Sequence, residues 1–304
     1  MPRPVLLVLA LVLTAIPAAA GAGAPGGGAG VPEGPQFVPH LPRLRDPGLA
    51  AALARLGSSY DGWAGLFVED LETGTYAGWN ERASFPAAST VKLGVIAEGI
   101  RRFGFGPGSP IDGDLRAIGQ WSSNAAANRI FTLIGGVVPT EQALRRLGMF
   151  SSTYPGPYLV EPEQKEPRHK PRRDTQAAGG APTPPPQRHS RVTTARDLAR
   201  ALFRLQAAAA GQAWAVGQTQ LSAPEARAAL GYLALAGPGT SLLEFPAGSR
   251  HAEKDGWLDD VRATAAVVYL RRGARIVVVL VYRPGVTEAE ARALGRGVSA
   301  LAFR

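Results

Sequence analysis

The sequence predicts an α/β fold of the α+β kind: an antiparallel sheet of about five strands with flanking helices, beside an all-helical lobe. Three observations carry this reading. Strand patterns occur at both ends of the chain, helical patterns fill its middle, and short turns join neighbouring strands, so that they pair antiparallel within one sheet. The 304 residues, 45% of them hydrophobic, are enough to bury a sizeable core.

Residues 1–20 have the layout of a secretory signal peptide. Arg3 precedes the apolar run Val5 to Ile16, and Ala18, Ala19 and Ala20 supply small residues for cleavage. The run is shorter than the roughly 20 apolar residues that span a bilayer. The expectation is therefore a secreted, extracytoplasmic protein with no stable membrane insertion after signal cleavage. Residues 21–46 are rich in Gly and Pro and read as a flexible tether, and the domain is expected over 47–304.

Within the domain, Leu49, Leu53 and Leu56 recur at helical spacing after Pro47. Trp63 to Val68 and Thr75 to Trp79 follow as a hairpin, turned at Glu72, Thr73 and Gly74. From Ser89 to about Leu147 the pattern is helical, with glycine breaks between Gly104 and Gly113, at Gly135 and Gly136, and at Gly148. Residues 161–191 are too polar and Pro-rich to pack and read as a disordered insertion. Thr194 and Asp197 cap a returning helix, and a further helix spans Pro224 to Leu235. Ala263 to Leu270 and Ile276 to Tyr282 form a Val-rich hairpin, and Thr287 with Glu290 caps a final helix carrying Leu294, Val298 and Leu301.

The net charge is +9, but seven Lys or Arg against Glu166 and Asp174 place +5 of it between Lys165 and Arg191. Charge concentrated in one Pro-rich stretch reads as a solvated loop, and no nucleic-acid partner is expected. The absence of Cys removes a thiol nucleophile, a disulfide and a Cys-based zinc site. Three of the four histidines lie in Pro-rich stretches, so neither a metal nor an organic cofactor is expected.

Three short motifs carry chemistry. Ser89-Thr90-Val91-Lys92 stands where an extended segment ending at Pro86 enters a helix, which puts Ser89 and Lys92 on one face; the lysine can take the serine proton. The bland reading is a capped surface helix. In Ser122-Ser123-Asn124 a hydroxyl can relay a proton to a leaving group and the amide can contact an amide of the substrate, although helix capping explains the same residues. Lys254-Asp255-Gly256-Trp257 offers a cation for a carboxylate and a glycine that permits close approach, or simply a strand end with a tight turn.

In this order and at these separations the three motifs resemble the S-x-x-K, S-D-N and K-T-G elements of class A β-lactamases and penicillin-binding proteins. The resemblance runs from about Pro47 to the C-terminus and implies a penicillin-recognising serine hydrolase. By that resemblance Ser89 is the nucleophile, Lys92 the general base and Ser122 the proton relay. Asn124, Lys254, Asp255, Gly256 and Trp257 then contact substrate, with the backbone N–H groups of Ser89 and Trp257 as the oxyanion hole. The implied partner is a small-molecule β-lactam or a cell-wall peptide, bound by a monomer. Two alternatives stay open: a D-alanyl-D-alanine peptidase-like enzyme, and a non-catalytic wall-binding module.

Two positions depart from the pattern. Asp255 stands where the family has Thr or Ser, and predicts repulsion of a substrate carboxylate. Glu161 begins a stretch similar to the family's E-x-x-x-N loop, whose Glu activates the deacylating water, but Lys165 replaces the Asn. Together they predict slow β-lactam turnover.

Overall fold

The computed structural model describes residues 43–160, 183–186, 189–237 and 239–304. Strand β1 (Leu44–Arg45) leads into helix α1 (Pro47–Ser58), β2 (Trp63–Asp70), β3 (Thr75–Trp79) and β4 (Phe85–Pro86). Helices α2 (Lys92–Phe103), α3 (Asp112–Trp121), α4 (Asn124–Leu133) and α5 (Val137–Arg146) build the first part of the helical lobe. After β5 (Val192–Thr193) come α6 (Ala195–Ala209), α7 (Ala213–Thr219) and α8 (Ala223–Leu233), then β6 (Arg250–Leu258), β7 (Val261–Tyr269), β8 (Ala274–Tyr282) and α9 (Glu288–Ala302).

The ends of these elements follow from local chemistry. Asp46 caps α1 by accepting from Leu49 N at 2.9 Å, with Pro47 in the first turn, where its missing N–H costs nothing. Asp70 accepts from Glu72 N and Thr73 N, and Gly74 takes a φ of +71°, which closes the β2–β3 turn. Reciprocal capping boxes start α8 at Ser222 and Glu225, and α9 at Thr287 and Glu290.

The main sheet has six strands in the order β1-β3-β2-β8-β7-β6. Its five longer strands pair antiparallel, as the turns predict, and the sixth, β1, adds in parallel to β3. The segment read as a tether therefore ends earlier than 46. Arg43 pairs with the buried carboxylate of Glu69, its second hydrogen bond measuring 2.6 Å, and stacks near Tyr76 and Phe203. A two-residue strand has no periodicity for a sequence to display.

Each sheet face buries a different core because successive side chains alternate. Leu66, Val68, Val277 and Val279 face α1 and α9. Phe67, Ala265, Val278 and Leu280 face the helical lobe. Inside that lobe, buried Glu98 of α2 is clamped by Arg101, Arg102 and Arg146, which ties α2 to α5. Burial pushes the Glu98 carboxyl up, but the hydrogen bonds from Arg101 and Arg102 outweigh it and hold the group below its ordinary value.

Two features were not readable in advance. Helix α7 lies in an Ala- and Gln-rich stretch without a clear apolar stripe, and the β4–β5 pair joins Phe85 to Thr193 across a long sequence gap. Of the segment read as an insertion, residues 183–186 and 189–191 are described, and Arg191 packs against Tyr154 and Tyr158. Its aromatic partners lie outside the Pro-rich stretch, so composition alone could not include it. No helix among the described residues is long and apolar enough to cross a membrane.

Candidate active site

The edge between the two lobes is built around a strained turn. Ala87 N donates to Arg191 O at 2.9 Å, which fixes the exit of β4, and Ala88 then takes a φ of +45°, unusual for a residue with a Cβ. Such a conformation costs on the order of 1–3 kcal/mol and persists where the surroundings impose it. Thr90 N bonds Ala87 O at 3.0 Å and Lys92 N bonds Ser89 O at 3.1 Å, so a tight turn precedes α2 and presents Ser89 at its head.

Strand β6 lies directly against this turn. A Cβ added at Gly256 would stand 2.9 Å from Ala88 Cβ, 3.0 Å from Ser89 N and 3.1 Å from Ala87 O. The glycine thus serves the contact between strand and turn, where the sequence suggested close approach of a substrate or a strand end with a tight turn.

Lys92 is fully buried. Its Nζ donates to Ser122 O at 2.5 Å and to Asn124 Oδ1 at 2.6 Å, with Ser122 Oγ at 3.4 Å. Burial, with the like charges of Lys254 and Arg191, lowers its pKa to about 6, so at neutral pH it is a free amine able to accept a proton. Ser122 ends α3 with a φ of 54°, and its Oγ also accepts from Lys254 Nζ at 2.8 Å. Ser122 Oγ therefore bridges the two lysines. Burial brings Lys254 down to about 8, against the opposing pull of Asp255 and Glu253.

Asp255 is placed differently from its neighbours. Lys254 faces the helical lobe, and the alternation of β6 turns Asp255 to the other face, where Thr264 Oγ1 donates to its Oδ1 at 2.6 Å. The acid that sequence reading set against a substrate carboxylate is bonded across the strands behind Lys254. Its electrostatic effect there is to favour the charged form of that lysine.

The site also contains three residues that no motif announced, Asn128, Tyr158 and Arg191. Asn124 and Asn128 lie one helical turn apart on α4, and both hold the chain after α5. Asn124 Nδ2 donates to Leu159 O at 2.8 Å; Asn128 donates to Tyr158 O and accepts from Tyr158 N, each at 2.7 Å. Tyr158 is thereby fixed with its ring centroid 4.4 Å from Lys92 Nζ and 3.8 Å from Arg191 Cζ, and its hydroxyl donates to Ala88 O at 3.0 Å. The i, i+4 spacing of the two asparagines was the available signal. Trp257 follows Gly256 on β6, with Arg262 over its ring at 4.9 Å. Glu161 and Lys165 lie outside the described residues.

The described structure thus brings Ser89, Lys92, Ser122, Asn124, Lys254 and Gly256 to one place, from the α2 turn, the α3–α4 corner and the sheet edge. Residues 48–110 and 115–304 match the Beta-lactamase enzyme family. The chain belongs to that family. No curated relative matches the sequence.

Solved structures share the fold at low identity. PBP-A aligns with a TM-score of 0.64 at 19% identity, covering 85% of this chain and 97% of that one. An ancestral class A β-lactamase of Gram-negative bacteria gives 0.61 at 22%, over 84% and 98%. A β-lactamase from Sphaerobacter thermophilus gives 0.59 at 20%, over 84% and 95%.

The two lysines set a pH dependence. A nucleophilic step that needs Lys92 neutral and Lys254 charged should rise through a pKa of about 6 and fall through about 8. Asp255→Asn removes a charge that favours protonated Lys254, so the alkaline limb should move to lower pH while the acid limb stays. Acylation rates measured from pH 5 to 9 on both proteins check this; an unmoved alkaline limb would detach Asp255 from Lys254.

Proposed function

We propose that the chain is a serine hydrolase acylated at Ser89 that acts on a β-lactam or a related amide or ester. The observation that carries this reading is the buried Lys92 amine, one turn from Ser89 in sequence and bonded to both Ser122 and Asn124. In the reaction Lys92 takes the Ser89 proton as Oγ attacks the carbonyl. The Ser89 and Trp257 N–H groups receive the developing oxyanion, and Ser122 delivers a proton to the departing atom. Lys254 receives a carboxylate of the leaving group, and the second N–H of Asn124 is the donor for a carbonyl of the acyl part. A structural relative, a single-residue variant of PBP-A, is described as an acyl-enzyme with penicillin G, which supports a penicillin as the first probe.

The proposal includes export as a monomer after removal of residues 1–20. Intact-protein mass spectrometry of secreted protein reads both parts. Treated with a penicillin or an activated ester, wild type should carry one adduct on a chain beginning at Gly21, and Ser89→Ala should carry none. An adduct that persists in Ser89→Ala refutes the nucleophile, and no adduct with any acylating agent favours the wall-binding module.

A further inference from the structure

Trp121 is 75% exposed, the most exposed of the large hydrophobic side chains among the described residues, and it immediately precedes Ser122. A single exposed apolar side chain is ordinary on a protein surface, but an indole beside a reactive corner offers a flat apolar face on which a ring can stack. Its direction follows from the helix. Asp114, two turns earlier on the same stripe of α3, bonds Arg129 of α4 at 3.1 Å, so Trp121 stands on the α4 side, at the corner where Ser122, Ser123 and Asn124 begin.

Ser122 Oγ accepts from Lys254 and lies near Lys92, so the corner next to Trp121 is the leaving-group end of the proposed site. We propose that Trp121 is a stacking platform for the leaving group, so that the favoured acyl donors are those whose departing part carries a planar ring together with a carboxylate. The inference rests on the acyl-transfer reading above and adds a substrate class to it. The carboxylate meets Lys254, the ring covers the indole, and the bond that breaks lies between them and Ser89.

Two thioesters of one acyl group test it, one made with mercaptoacetate and one with 2-mercapto-3-phenylpropanoate. In each, Ser89 Oγ forms the new ester bond, the C–S bond breaks, and the serine proton reaches sulfur through Lys92 and Ser122, releasing one thiol. The chain has no cysteine, so a thiol-reactive dye reads the product alone. Wild type should prefer the phenyl thioester in kcat/KM. Trp121→Ala should lose about tenfold on that substrate and little on the mercaptoacetate one, in line with aromatic contact energies. Trp121→Phe should keep most of the preference. Equal losses on both thioesters, or none on either, overturn the platform while Ser89 still acylates. If wild type forms no Ser89 adduct with either thioester, the acyl-transfer reading falls and the platform with it.

Discussion

Lys92→Met should lower the rate of Ser89 acylation by about 10³-fold, within the range general bases contribute. Methionine keeps the length of the side chain but cannot accept a proton, and it leaves Ser122 O and Asn124 Oδ1 without their donor. The same variant carries a second signature in its stability. The folded-state pKa of Lys92 is about 6, below its ordinary 10.5. Between those values the unfolded chain holds the proton and the folded chain does not, so stability rises with pH across that window, and the cost of burying this lysine is full at and below pH 6 and gone near 10.5. Each pKa unit corresponds to about 1.4 kcal/mol. The difference in Tm, variant minus wild type, should therefore be largest at about pH 6 and below, and shrink as pH approaches 10. Thermal melts across that range check it. A difference independent of pH would show that Lys92 keeps its charge in the fold, and a near-normal acylation rate would place the base elsewhere.

Gly256→Ala should cost about 100-fold in acylation with only a modest loss of Tm. The added methyl must push β6 away from Ala88 and Ser89, because two of the atoms it meets are backbone and cannot rotate aside. Displacements near 1 Å at a reacting centre can cost about 10²-fold. Of the atoms that the methyl meets, only Ala88 Cβ belongs to a buried core side chain, so packing is lost locally. Single-turnover acylation and circular dichroism measured on the same preparation separate the two effects. A wild-type rate in this variant would show that the strand need not touch the nucleophile turn.

Much of the fold was legible because its signals are local. The Leu49, Leu53 and Leu56 stripe, the caps at Thr194 and Thr287, and the valines of β7 and β8 each declare their element within one short window. The three motifs were readable for the same reason. What escaped was non-local. Tyr158 reaches Lys92 with Asn128 of α4 holding its backbone and Asn124 holding that of Leu159, and Arg191 reaches Tyr158 from the far end of a Pro-rich stretch. Asp255 was read as a substrate contact within a motif, but its side chain took the face that strand alternation assigns and found Thr264 there. Applying that period-two rule to Lys254 and Asp255 at the outset would have separated their roles.

The sheet order has a consequence for biosynthesis. Strand β2, near the start of the domain, has β8 as a neighbour, with Trp63 opposite Tyr282. As the chain leaves the ribosome, the β2–β3 hairpin has nothing to cover its open side until the last of β8 has emerged. A nascent chain stopped anywhere before β8 exposes an apolar strand edge, which binds chaperones or other chains. Completion of the native sheet is thus deferred until translation is nearly finished.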